Sequence, residues 1–350
     1  MLNVSFVAAL AVGFVALIVW GVRTLPAENW QMLAAVPLTK SEDGSWRGLN
    51  LTFYGFFSAT GTAFGFLIML LLLASAGMPI ALSFSLALFV LVVCVPASRL
   101  VAAVVERKHN TFTVAGAAFV ATIVFPLLLM ILRPLTVRYL HREILLLPTI
   151  AATAIAYVLG ESIGRLACLS FGCCYGMPLR QASPALARIF QKHNLIVSGS
   201  TKKAAYASGL AGEPLIPVQA ITSVVFAIAG VVGVGLFLAQ QYRLAALIPV
   251  LASWGWRACS EWLRADYRGT SRLSAYQLMA ILSGTYLGIF LLLAPSGAAV
   301  MPDLATGFAQ VCSTPVILLV QLFWIGLFLY YGRSRVTAST VRFHVVADRI

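Results

Sequence analysis

Ionisable residues inside long apolar runs are expensive unless they do something, so they are where chemistry is sought first. Glu161 and Arg165 lie four residues apart in such a run and can pair across one helical turn. Arg257, Glu261 and Arg264 repeat the spacing and fall on one helical face. Two readings are open. The charges form internal ion pairs that lock helices together, or the two arginines grip an oxyanion. A guanidinium stays charged when buried and meets phosphate with two parallel hydrogen bonds, so the second reading points to a phospholipid headgroup.

Directly after Gly164 the chain reads Arg165-Leu166-Ala167-Cys168-Leu169-Ser170-Phe171-Gly172-Cys173-Cys174-Tyr175-Gly176. The glycines allow a tight turn and close approach of a ligand where the helix ends. Cys168, Cys173 and Cys174 could be zinc ligands, a reactive thiol beside Arg165, or small polarizable wall residues. Adjacent cysteines without a nearby histidine or second Cys-x-x-Cys fit zinc spacing poorly. Packing is the expectation, with no metal and no cofactor.

The elements that must position these residues follow from composition. Of 350 residues, 61% are hydrophobic and 10% charged, against roughly 45–50% and about 25% in soluble domains. Too little polar material remains to coat a globule, so the chain is an integral membrane protein. Disorder, a coiled coil and a secreted disulfide scaffold are excluded. The net charge of +13 then speaks for anionic lipid and membrane-flanking loops, not nucleic acid.

Val4 to Val22 is read as a retained helix, with no basic residue ahead of it and no cleavage site close behind. Gly48 to Ser98 has no charge and is broken at Gly77-Met78-Pro79 into two spans. Further spans fall at about 112–132, 145–164, 217–240, 244–262, 273–294 and 313–331, which predicts an all-α polytopic protein of about nine transmembrane helices. Residues 171–216, with Arg180, Arg188, Lys192, Lys202 and Lys203 among Gly, Ser and Pro, are too long for a simple connection and form a small extramembrane cap. With nine spans, the loops on the N-terminal side carry only Arg133, Arg138, Arg142 and Arg243. The positive-inside rule therefore places the opposite, strongly basic side in the cytoplasm.

The 164–176 stretch resembles the signature of the prolipoprotein diacylglyceryl transferase family, in the form that carries Gly-Cys-Cys-Tyr-Gly. Weaker matches follow in family order over about residues 50–295. They are Phe53-Tyr54-Gly55, Ser98-Arg99-Leu100, Pro217-Val218-Gln219, the Arg257-to-Asp266 stretch with its Arg-x3-Glu-Trp-x-Arg pattern, and Leu273 to Leu278. The resemblance implies a seven-helix transferase-like core over 49–295, with residues 1–48 as an added helix and loop and 296–350 as an added helix and basic tail. It implies transfer of a diacylglyceryl group from phosphatidylglycerol to a prolipoprotein cysteine thiol, at the outer face of a bacterial inner membrane. Arg165, Arg257 and Glu261 would carry the catalysis, with Glu261 orienting Arg257. Tyr54, Arg99, Cys168, Gly172, Tyr175, Gly176, Gln219 and Arg264 would contact substrate.

Where the family has its His-Gly-Gly base motif, this chain reads Thr113-Val114-Ala115, with His109 four residues upstream. The lipid-donor half of the site is thus expected to be kept and the acceptor half remodelled. The alternative is a non-catalytic phospholipid-binding or lipid-moving protein. Outward placement also conflicts with the charge rule.

Overall fold

The computed structural model describes residues 1–106, 114–141, 143–265, 273–295 and 300–350. Thr113 and His109 lie outside them. The long helices are α1 (Leu2–Thr24), α2 (Phe53–Ser75), α3 (Ile80–Glu106), α4 (Val114–Leu140) and α5 (Leu146–Phe171). The cap contributes α6 (Pro184–Phe190) and α7 (Lys203–Ser208). Then come α8 (Val218–Leu238), α9 (Tyr242–Ser260), α10 (Ala275–Leu293), the short α11 (Leu304–Val311) and α12 (Thr314–Tyr331).

Eight of the described helices are long and apolar enough to cross a membrane. The chain is a multi-spanning, helical membrane protein. The stretch expected as a further span at 244–262 forms helix α9, but Arg243, Ser253, Arg257 and Ser260 make it too polar to join the eight.

α5 is the axis of the bundle, buried along most of its length. It crosses α2 at backbone contact. A Cβ on Gly61 would meet the Gly160 carbonyl oxygen at 2.4 Å, and one on Gly160 the Gly61 oxygen at 2.7 Å. In lipid no hydrophobic gain drives helices together, so such small-residue crossings and interhelical hydrogen bonds supply the packing. α8 docks on another face of α5 through reciprocal bonds, with Ser162 Oγ donating to the Ser223 carbonyl and Ser223 Oγ to that of Ser162, both at 2.8 Å.

The chain is not wholly helical. Strands β1 (Met32–Lys40) and β2 (Trp46–Thr52) form a hairpin, β3 (Leu195–Ile196) and β4 (Pro214–Leu215) pair within the cap, and β5 (Arg333–Val341) adds antiparallel to β2. The stretches expected to be a loop and a basic tail are thus one three-stranded sheet. Asp43-Gly44, with Gly44 at φ 79°, turns between runs of alternating residues and is the sequence signal for that hairpin.

These pieces share one end of the bundle. Ser170 Oγ donates to the Trp30 carbonyl at 2.5 Å, Gln31 Nε2 to Thr201 O at 2.9 Å, and Thr52 N to Gly332 O at 2.9 Å. The cap, the hairpin and the C-terminal strand therefore lie on the same side of the spans.

Lys202 anchors the cap from a fully buried position, its Nζ donating to the Leu25 carbonyl at 2.8 Å. Burial, opposed in part by Glu28, pushes the ammonium from 10.5 down to about 8. The unfolded chain holds this proton to higher pH than the folded one, so stability contributed here rises as pH goes from about 8 to 10.5. The gain is about 3 kcal/mol at the top of the window. Thermal midpoints in detergent, taken as wild type minus Lys202→Met, are expected to climb over this interval. A flat or falling difference refutes the assignment.

Candidate anion-binding site

α5 ends where Gly172 takes the left-handed conformation, φ 70°, that caps helices, and its N–H bonds back to the Cys168 carbonyl at 2.9 Å. The N-termini of α8 and α10 and the C-terminus of α9 converge on this point. Between them lies a narrow cavity lined by Arg165, Cys174, Gln219, Thr222, Trp256, Arg257, Ser260, Glu261, Arg264 and Tyr276, with Ala115 and Val218 as apolar wall. Its volume of about 30 Å³ takes roughly two waters.

Tyr157, Glu161 and Arg165 stand on successive turns of α5. Arg165 donates to Glu161 Oε1 through Nη2. Arg257 reaches across from α9, donating through Nη2 to Glu161 Oε1 at 3.1 Å and to the Tyr157 hydroxyl at 2.5 Å. Its guanidinium carbon also lies about 6 Å from the ring centres of Tyr157, Phe226 and Trp254, within cation–π range. One carboxylate thus serves two buried guanidinium groups.

The partner of Arg257 is therefore Glu161 and not Glu261. α9 ends at Ser260 and the chain tightens into a 3₁₀ turn over Glu261–Leu263, which takes Glu261 off the i,i+4 position. Glu261 lies 3.8 Å from Arg264 and accepts from Ser274 Oγ at 3.2 Å. Spacing on α5 marks Glu161 and Tyr157 as facing Arg165, but only the tertiary fold brings Arg257 to them.

Three polar atoms around the cavity are buried without a hydrogen-bond partner among the described residues: Arg165 Nε, Arg257 Nε and Gln219 Oε1. The Gln219 amide is oriented by its Nε2, which donates to the Cys173 carbonyl at 2.9 Å. Such orphans are costly in a finished interior, where buried polar groups are nearly always paired.

The other expected contact residues are placed as follows. Gly176 forms a β-bridge with Arg264, and Tyr175 is buried towards the cap with its hydroxyl 2.5 Å from Ser208 Oγ. A Cβ on Gly176 would lie 2.3 Å from the Ile216 carbonyl oxygen, so only glycine fits. Tyr54, on the first turn of α2, packs its ring 5.6 Å from that of Phe171 and does not line the cavity. Arg99 is elsewhere, donating from α3 to the Tyr330 hydroxyl of α12. Cys168 packs beside Cys173 and Cys174, whose thiols it neighbours. Beyond the span, hydrogen bonds from the Cys168 and Cys173 thiols hold the Cys174 thiol well below its usual range, with Arg264 and Arg165 adding to the effect.

No protein-family model matches the chain, and no curated protein matches it.

Proposed function

We propose that the cavity binds the phosphate of an anionic phospholipid such as phosphatidylglycerol, and that the protein transfers a (diacyl)glyceryl group from it to a thiol acceptor. The observation that carries this reading is the pair of buried guanidinium groups, each with a spare Nε–H, sharing a single carboxylate. Arg165, Arg257 and Glu161 together bear one net positive charge, so an anion completes the set. Phosphate would take over acceptor positions that Glu161 now fills, and the free Gln219 Oε1 would accept from a headgroup hydroxyl.

In the reaction, the acceptor thiol gives up its proton to solvent and its sulfur bonds to the glyceryl carbon that carries the phosphate ester. The carbon–oxygen bond breaks and its electron pair leaves with glycerol phosphate. Arg165 and Arg257 stabilise the charge that develops on the departing oxygen, in a site already organised for it.

Purified protein with headgroup-labelled and acyl-labelled phosphatidylglycerol tests this. Release of labelled glycerol phosphate together with acyl label on a cysteine-containing acceptor peptide is the expected result. Saturable binding without release supports a second reading, a lipid-binding protein without turnover. That reading draws on the lack of any histidine among the described residues lining the cavity.

An exported lipoprotein acceptor requires the cap to face outwards, whereas the basic residues on that side favour the cytoplasm. A cysteine introduced at residue 200, in a background without the exposed Cys259 and Cys312, is expected to react with an impermeant maleimide in intact cells. Protection until the cells are lysed removes the exported acceptor.

A further inference from the structure

The turn after α5 gathers three thiols that no step above uses. Cys168 lies on the last turn of the helix and Cys173 and Cys174 just beyond it, and their Sγ atoms all lie within 4.8 Å of one another. All three are free thiols.

The fold itself holds them there. The N–H groups of Gly172 and Cys173 both return to the Cys168 carbonyl, at 2.9 and 3.2 Å, folding the chain back over that residue. Cys174 then adopts φ 56°, a left-handed conformation that non-glycine residues rarely take and that concentrates at functional sites. From outside, Gln219 Nε2 holds the Cys173 carbonyl, and the Ala265 N–H donates to the Tyr175 carbonyl at 3.2 Å. Packing alone asks for none of this, because glycine would take φ 56° at position 174 without strain, whereas a cysteine there bears it.

We propose that Cys168, Cys173 and Cys174 form a trithiolate site for a thiophilic divalent ion, zinc before others, with its remaining coordination position towards the arginine cavity. A tetrahedral zinc with Zn–S bonds of about 2.3 Å needs sulfurs roughly 3.8 Å apart, so the cluster closes on an ion by about an ångström or less. Three thiolates around Zn²⁺ carry one net negative charge. Arg165 and Arg264 line the same cavity as Cys174 and put positive charge beside it. Sequence spacing speaks against zinc because adjacent cysteines cannot both point inwards from regular structure; the left-handed Cys174 removes that objection.

Three protein ligands with one further position is the pattern of reactive rather than structural zinc. A thiol that takes that position loses its proton outright. Resting on the transferase reading, this supplies what the cavity lacks: the acceptor R–SH binds zinc, its proton passes to solvent, and the zinc-held sulfur attacks the glyceryl carbon. The ion-binding claim itself does not depend on that reading.

The test uses full-length protein in detergent, reduced with a phosphine, loaded with Zn²⁺ and desalted, with Co²⁺ as a spectroscopic substitute. About one tightly held zinc per chain is expected, with thiolate-to-cobalt charge-transfer absorption in the Co²⁺ form. Cys168→Ala and Cys173→Ala should lose both signals, while Cys94→Ala and Cys259→Ala, outside the cluster, keep them. The cobalt spectrum reports sulfur ligation in the unaltered protein, so the proposal is tested even where a variant fails to fold. Wild-type protein that retains no zinc, or a cobalt form without sulfur charge transfer, overturns the site. Zinc-loaded protein that binds phosphatidylglycerol and never releases glycerol phosphate leaves the site standing and sinks the transferase reading. Full transfer activity after zinc is stripped overturns the role in acceptor activation.

Discussion

Arg165→Lys and Arg257→Lys are each expected to lower phosphatidylglycerol turnover by about 10²–10³-fold, the loss that follows removal of one oxyanion donor. In both cases the charge is kept and the fork is lost. Arg165 uses one nitrogen on Glu161 and leaves Nε–H spare; Arg257 divides Nη2 between Glu161 and Tyr157 and also leaves Nε–H spare. An ammonium on a flexible stem cannot hold the carboxylate and present a second donor in a fixed plane. Because Glu161 keeps a cationic partner in either variant, the fold is expected to survive, which the thermal midpoint checks. Near-normal turnover in both variants would defeat the phosphate assignment and leave Arg165–Glu161–Arg257 as a lock between α5 and α9. Glu161→Gln separates the same alternatives. Removing the shared carboxylate destabilises the lipid-free protein under either reading, since it leaves two buried charges uncompensated. Only an anion site is rescued by added phosphatidylglycerol.

The two arginines were legible because a charge in an apolar run stands out whatever the fold. Their partner was not. Helical spacing points from Arg257 to Glu261, but spacing holds only while the helix continues, and α9 stops one residue short. Glu161 arrives from a helix nearly a hundred residues earlier, a contact that no local periodicity encodes. Arg99 shows the converse. Its type and place near a span end suit a headgroup, yet an aromatic partner on α12 claims it.

Long apolar runs located the spans, because crossing lipid demands them. The sheet escaped for the opposite reason: strands of seven to nine residues with mixed polarity leave a much weaker mark than long apolar runs, with only the Asp43-Gly44 turn to signal the hairpin. Pairing Leu49 with Ala338 joins the two ends of the chain, and only a long-range structure reveals it. That pairing packs the start of α2, and with it Tyr54, against the end of α12. A Cβ on Gly55 would lie 2.1 Å from the Gly332 Cα.

Gly61→Ala and Gly160→Ala are expected to destabilise the protein by about 2–3 kcal/mol each, the cost of overpacking where no flexible group can give way. The added methyl meets a backbone carbonyl of the facing helix in both cases, at 2.4 and 2.7 Å. Relief therefore requires α2 and α5 to separate. The next residue after Gly160 is Glu161, so separation also shifts the carboxylate that both arginines share, and turnover should fall along with stability. Gly235→Ala and Gly326→Ala are the matched controls. Each lies in a long apolar helix, and a Cβ there meets nothing within 4 Å. At these positions alanine is expected to be neutral or to stabilise by up to about 1 kcal/mol, from helix propensity alone. Thermal midpoints of the four variants in one detergent decide the matter. If Gly61→Ala and Gly160→Ala melt with the controls, the close crossing is not what holds α5, and the geometry that brings Glu161 between the two arginines must rest on the α5–α8 serine pair.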